Sequence, residues 1–323
     1  MSYDPVSIVR KAKHTCLGEE IVGVNPKVNN LVRPFRQAAH DILWVLDSGV
    51  LVDEGTLARS VGFLNTTTSS IGLVHHVPFA LFDKAKIGSQ LEGAFLNTNH
   101  AKMYIAINTV GVESCVVGKS NLYRRSDIEK LNASFIPVRS QVLKQHDPTA
   151  VYGLTAFGRF LAEDNSIASA IWHELGLRHD LSCDVARNVI GSMSFLDYVW
   201  RRVRWIRVRK HMVLAATLLE PFTESVVLCA VGAFSCATLF GVPLWAFTLF
   251  HFPFWLYVDL DVYASIGGHE LRREDRFSFV LAWMGREILA FPIWVIAVFG
   301  NEVTWRGQRY RILRNGLAYP CGE

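Results

Sequence analysis

The sequence predicts an α/β domain followed by interfacial and transmembrane α-helices, and three observations carry that prediction. Short β-prone apolar runs alternate with helical stretches ahead of residue 200, which is the pattern of an α/β sheet. Long apolar runs fill the last third. Between the two textures lies Arg201-Arg202-Val203-Arg204-Trp205-Ile206-Arg207-Val208-Arg209-Lys210, a basic stretch that divides the chain into residues 1–211 and 212–323.

Composition agrees with a mixed protein. Half of the 323 residues are hydrophobic (50%), only 19% are charged, and the mean hydropathy is +0.22. These values lie between those of a soluble enzyme and a membrane bundle. The net charge of +4 is modest, and its basic residues gather at 201–210 and 306–314, so no nucleic-acid partner is expected. Six cysteines lie far apart with no Cys-x-x-Cys pair, which suggests neither a zinc site nor a disulfide framework. Met1-Ser2-Tyr3-Asp4-Pro5 lacks an apolar leader, so attachment to a bilayer is expected from the second half.

Asp41 through Val52 begins as a β-prone apolar run and stops at Asp47-Ser48-Gly49. Bounded by turn formers, it reads as a buried parallel strand that delivers polar groups at its carboxyl end. Open α/β sheets bind ligands at that end. Ile71–Val77 and Val110–Val117 read as further strands, with helices near 53–64 and 83–96. In Ala156–Ile171 an acidic pair precedes a helix, which Asp164 or Asn165 is placed to cap. Residues 127–150 are the most loop-like.

Ser225–Phe240 and Val242–Val258 are each somewhat short of the ~20 residues that cross a bilayer, and they read as a tight helical hairpin. Phe277–Phe299 is long enough, but Arg286-Glu287 sits at its middle and should face protein or water. Basic residues mark the cytoplasmic flank, and both 201–210 and 306–314 carry them. The expectation is therefore two crossings plus one re-entrant or interfacial helix.

Two tempting motifs fail. Gly111 to Ser120 ends like a phosphate loop, yet its first glycine is misplaced and Glu113 stands where glycine belongs. His173-Glu174 resembles a zinc-protease helix, but Leu177 replaces the second histidine. Three other features carry chemistry. Asp47, next to small Ser48 and Gly49, is suited to reach a divalent cation beside a diphosphate. Taken alone, such an aspartate more often ends a strand as an Asx turn. Asp164 beside Glu163 is suited to general-base work, because a neighbouring acid or burial raises a carboxyl pKa toward neutrality. Its plain alternative is a helix cap. The Arg/Trp cluster offers guanidinium forks to phosphate oxygens and Trp205 as a flat wall, or simply a positive flank to a membrane segment.

The order of these features resembles the ceramide glucosyltransferases, from about residue 20 to about residue 314. The specific strings are Gly23-Val24-Asn25-Pro26-Lys27-Val28-Asn29-Asn30-Leu31, Trp44-Val45-Leu46-Asp47-Ser48-Gly49, and Gly72-Leu73-Val74-His75-His76-Val77-Pro78-Phe79. Ala162-Glu163-Asp164, Arg201-Arg202-Val203-Arg204-Trp205 and Thr304-Trp305-Arg306-Gly307-Gln308-Arg309-Tyr310-Arg311 complete the set. The resemblance implies a GT-A fold and transfer of glucose from UDP-glucose to the primary hydroxyl of ceramide. The implied setting is a Golgi or ER membrane, multi-pass, with the catalytic domain on the cytosolic side. It implies Asp164 as catalytic base, and Asp47 as the residue holding UDP and a divalent cation, Mg²⁺ or Mn²⁺. Arg201, Arg204 and Trp205 match the motif at the donor, and His100, in Asn97-Thr98-Asn99-His100, matches an acceptor-site histidine. Homo-oligomerisation is left open.

The family pattern opens with a membrane helix, the first strands of a nucleotide-binding sheet and a first aspartate motif near uracil. Met1 to Pro5 joins that pattern just beyond the motif, and residues 10–20 look abbreviated, so the expectation is an N-terminally shortened member. The alternative is a catalytically inactive homologue with a regulatory role. A processive polysaccharide synthase shares the Asp and Arg-x-x-Arg-Trp features, but three short apolar segments do not readily build a polymer channel.

Overall fold

Five strands form one mixed sheet: β1 (Ile42–Leu46), β2 (Val50–Leu51), β3 (Ile71–Phe82), β4 (Ser120–Arg124) and β5 (Arg178–Ile190). Their order is β1-β4-β3-β5-β2. β3 and β5 run parallel, whereas the β1–β4, β3–β4 and β2–β5 pairs are antiparallel. These elements belong to a computed structural model that describes residues 18–65, 70–82, 85–134, 151–313 and 316–321. Expectations for residues 1–5 lie outside the described residues, as do those for most of 10–20 and much of 127–150.

The apolar run of β3 is buried from Gly72 to Ala80, as suits a central strand covered on both faces. Two sequence expectations change here. Residues 42–46 form an edge strand, antiparallel to β4, rather than a buried parallel one. A short apolar run bounded by turn formers does not distinguish an edge from a centre. Residues 110–117 are not a strand. Helix α4 runs to Val110, Gly111 closes it in the left-handed conformation (φ 61°), and the strand begins at Ser120.

The longer helices of this half are α1 (Pro26–Gln37), α2 (Thr56–Leu64), α3 (Ile87–Phe95), α4 (Ala101–Val110) and α5 (Glu163–Glu174). A five-residue π-helical turn, Leu96–His100, joins α3 to α4. One core packs α1, β4 and α5 around Leu154, Phe157 and Phe160. A second joins β3 and α4 to the apolar helices through Phe79, Tyr104, Tyr263 and Trp283.

Those later helices are α6 (Phe195–Lys210), α7 (Ser225–Phe240), α8 (Leu244–Gly267) and α9 (Arg276–Val298). Ser194 starts α6 with a capping box closed by Asp197. Gly241 in the left-handed conformation and Pro243 turn the chain from α7 into α8, the expected hairpin. Among the described residues one helix, Arg273–Val298, is by itself long and apolar enough to cross a membrane. Leu214–Thr223 and Ser225–Phe240 pass that test only together, bent by 66°. Phe234, Phe240, Trp245, Phe250, Phe277 and Ile288 are exposed on these helices. Arg286 and Glu287, by contrast, are buried, and the Arg286 guanidinium donates to Glu224 at 3.0 Å and to Glu287 at 2.9 Å. The cost of a charge in lipid predicts that inward placement.

Strands β6 (Glu302–Trp305), β7 (Gln308–Ile312) and β8 (Ala318–Pro320) make a small antiparallel sheet. It returns to the first half, where Val303, Tyr310 and Ile312 pack on Val24, Leu161 and Val208. A bridge between Phe160 and Leu317 fixes the return.

Candidate active site

The Asn25-Pro26-Lys27 string builds one wall of the site. Asn25 caps α1, its Oδ1 accepting from the amides of Lys27 and Val28, and Pro26 occupies the first turn, where no amide is needed. The other end of the Asn25 side chain donates to Glu163 Oε2 and to the Phe160 carbonyl, both at 2.7 Å. Asn29 closes the preceding turn by accepting from the amides of Val22 and Gly23. Gly23 is required there, because a Cβ would stand 2.3 Å from the Gly158 carbonyl oxygen. The cap thus ties the start of α1 to the start of α5.

Lys27 projects from that cap into a group of acids. Its Nζ lies 2.9 Å from Asp47 Oδ1 and 3.2 Å from Glu163 Oε1, and it donates to the Gly118 carbonyl at 2.7 Å. Lys119 holds the other Asp47 oxygen at 2.9 Å, and the Asp47 amide donates to the Lys119 carbonyl. Burial alone would lower the Lys27 pKa, but Glu163, Asp164 and Asp47 together hold it well above the lysine range. Burial would raise the Asp47 pKa, yet the two lysines pull it below the ordinary carboxylate value. Glu163 is raised by burial and by the Asp164 charge.

Asp164 sits in the first turn of α5, where a carboxylate is favoured by the helix dipole. The residue before the helix is Ala162, and it makes no side-chain cap. The expected Asp164 or Asn165 cap is therefore replaced by acids within the first turn. Asp164 leans over Gly118, where a Cβ would meet its Oδ2 at 2.6 Å. The absence of a side chain at 118 is what lets the carboxylate lie against the residues that lead into β4.

The second group lies around the π-turn. Asn97 pairs with both the amide and the carbonyl of Ala80, which anchors the turn to β3. Asn99 donates to Glu224 at 3.1 Å. His100 stacks on Tyr104, with ring centroids 5.7 Å apart, and meets Trp205 edge-on at 6.1 Å. Loss of water around the imidazole, together with the Arg202 and Arg209 charges, lowers its pKa to about 3. Tyr104 links the two groups, since its hydroxyl accepts from the Val117 amide just before Gly118.

Helix α6 places its basic residues on different faces. Arg201 donates to the buried Glu92 at 2.7 Å and lies over Trp205 at 5.0 Å. Arg204 reaches the Thr304 carbonyl of β6 at 3.4 Å, and burial and Arg201 lower its pKa. Arg207 and Lys210 donate to carbonyls at and beyond the end of α9, including those of Ile296, Glu302, Val298 and Gly300. Much of the cluster read in sequence as a membrane flank thus holds the last helix and the small sheet in place.

The structure therefore brings Asp47 and Asp164 into one cluster, and His100 and Trp205 into another. Lys27 and Lys119 are the residues that sequence reasoning passed over, whereas Glu163 was read as the acid beside Asp164. Lys27 stood in the Asn-Pro-Lys string and Lys119 in the rejected phosphate-loop pattern, so a basic residue flanking each motif was the available signal. A divalent cation at Asp47 needs carboxylate oxygens open to it. Here each oxygen faces an ammonium, and among the described residues no three His, Cys, Asp or Glu gather as metal donors. This donor set does not fit the cation, and no step is built on one.

Comparison with known proteins agrees with the motif order. The model of glycosyl transferase family 21 matches residues 10–133 and 129–318. A ceramide glucosyltransferase of Komagataella phaffii is 37% identical over 90% of this chain and 68% of its own length. Those of Pyricularia oryzae and Candida albicans are 33% and 30% identical, over 90% and 93% of this chain and 67% and 74% of theirs. With its acidic cluster, its Arg-x-x-Arg-Trp helix and a family match running through nearly all of the described residues, the chain belongs to glycosyl transferase family 21.

Proposed function

We propose that the protein transfers glucose from UDP-glucose to the primary hydroxyl of ceramide with inversion, on a GT-A type scaffold. The observation that carries the reading is the placement of Asp164 over Gly118, just ahead of β4 and beside the Lys27–Asp47–Lys119 cluster. A carboxylate suited to act as base and a cationic group thereby stand close to one another.

The acceptor oxygen attacks the anomeric carbon as its proton passes to the Asp164 carboxylate. The bond from that carbon to the diphosphate oxygen breaks, and its electron pair leaves with UDP. Donors aimed at the departing diphosphate stabilise the charge that develops there. Arg201, Arg204 and Trp205 take the donor side in this reading. His100, neutral and stacked on Tyr104, takes the acceptor side. The apolar helices seat the site on the cytosolic face of a Golgi or ER membrane, multi-pass, so that a lipid hydroxyl enters laterally.

The test is Asp164→Asn in the full chain, reconstituted in lipid nanodiscs with radiolabelled UDP-glucose and ceramide. Turnover should fall by roughly 10²- to 10⁴-fold, the range of a lost general base, while UDP-glucose affinity changes little. Turnover within a few-fold of wild type would remove Asp164 from the role.

A further inference from the structure

An ammonium group has three hydrogens, and those of Lys27 have three acceptors: Asp47 Oδ1 at 2.9 Å, Glu163 Oε1 at 3.2 Å and the Gly118 carbonyl at 2.7 Å. Lys27 is thus a fixed internal cation. It bridges the loop after β1, the residue before β4 and the first turn of α5. A divalent ion shared by Asp47 and the acids of α5 would have to stand in that same space.

Lys119 differs. It too is about four-fifths covered (20% exposed), and its ammonium is held by Asp47 Oδ2 at 2.9 Å. Among the described residues that is its one acceptor, which leaves two hydrogens directed elsewhere. Asp47 therefore orients one ammonium that is fully engaged and a second that is not. Phosphate oxygens are the ligand class suited to a partly engaged ammonium beside Gly118 and the base.

We infer that Lys27 and Lys119, aligned by Asp47, are the positive centre of the donor site, with Lys119 contacting the diphosphate and Lys27 standing in place of a divalent ion. Asp47 is then a positioning residue for two lysines rather than a metal ligand. The inference rests on the donor reading given above. It assigns the charge that meets the leaving group to this chain's own side chains.

The experiment measures binding rather than turnover. UDP-glucose is titrated calorimetrically into the nanodisc-embedded wild-type chain, once with EDTA and once with Mn²⁺, and protein-bound Mn²⁺ is followed by electron paramagnetic resonance against a protein-free UDP-glucose reference. The affinity should agree within about threefold in the two conditions, with no stoichiometric protein-bound Mn²⁺. Lys119→Met should weaken binding by roughly 10- to 100-fold, the loss of a hydrogen bond to a charged group, equally with and without Mn²⁺. Lys119→Arg should recover part of it. Binding that disappears in EDTA and returns with one bound Mn²⁺ per chain would overturn the inference and leave the donor reading intact. No binding in either condition would overturn both. The wild-type arm decides the metal question even where a lysine variant fails to fold.

Discussion

The ammonium of Lys102, on α4, lies 2.7 Å from the fully buried carboxylate of Asp259, on α8. The other Asp259 oxygen accepts from the Trp283 indole of α9, also at 2.7 Å, and Lys102 stands 4.3 Å over the Trp255 ring. One ion pair therefore joins the helix next to His100 to two apolar helices. With Asn99 donating to Glu224, the π-turn is fastened to the membrane-side helices on both sides of His100.

Removing Lys102 should be costly, because it leaves Asp259 buried without its countercharge. Lys102→Ala is expected to destabilise the chain by about 3 to 5 kcal/mol, the usual cost of stranding one partner of a buried pair. Lys102→Met with Asp259→Asn, which removes both charges and keeps the volume, should recover most of the loss. Thermal unfolding in detergent checks both. Equal midpoints for the single and double variants would show that the pair is not what couples these helices.

Gly118 is the close approach that the site depends on. A Cβ there meets Asp164 Oδ2 at 2.6 Å and Asp164 Cβ at 2.8 Å, so Gly118→Ala must push the carboxylate aside. Displacing a catalytic group by about 1 Å commonly costs on the order of 10²-fold in rate. The expected result is a large fall in kcat with a lowered unfolding temperature, since Asp164 Cβ is fixed to the α5 backbone and must shift with it. An alanine variant with unchanged kcat would mean that the position of Asp164 over Gly118 is not the reacting one.

Sequence alone made the frame of this fold readable where the signal was long or strongly priced. The first part of β3 was legible as the strand Ile71–Val77, α2 as the helical stretch near 53–64, and α7 to α9 from their apolar character. The inward burial of Arg286 and Glu287 followed from the cost of charge in lipid. The stretch 110–117 was not legible, because its apolar residues end a helix and line a loop that presents Gly118 and Lys119. Nor were the lysines of the site. A lysine is ordinarily a solvated surface residue, and nothing local to Lys27 reveals partners at Asp47, Gly118 and Glu163. Asp47 and Asp164 were found from their strand-end and helix-start positions, but their shared countercharge appears only once β1, β4 and α5 converge.

The final prediction concerns acid. His100 keeps a pKa of about 3, because the ring has lost its water and faces Arg202 and Arg209. Its Nδ1 is shut from solvent, with no hydrogen-bond partner among the described residues. In the unfolded chain a histidine takes up its proton near pH 6.5. Between that value and about 3 the unfolded state therefore binds more protons than the folded one. The stability linked to neutral His100 is complete above pH 6.5 and declines as the pH falls toward the folded value. The slope approaches about 1.4 kcal/mol per pH unit, so roughly 1 to 2 kcal/mol should be lost between pH 6.5 and 5 through this residue. His100→Phe keeps an aromatic ring against Tyr104 and Trp205 and removes the titration. Its unfolding midpoint should fall less between pH 7 and 5 than that of wild type. Other buried histidines, His75 and His179 among them, contribute equally to both proteins, so the difference between the two curves isolates His100. Parallel curves would mean that the imidazole reaches water and is free to take up a proton, which would also weaken its assignment as a neutral wall of the acceptor side.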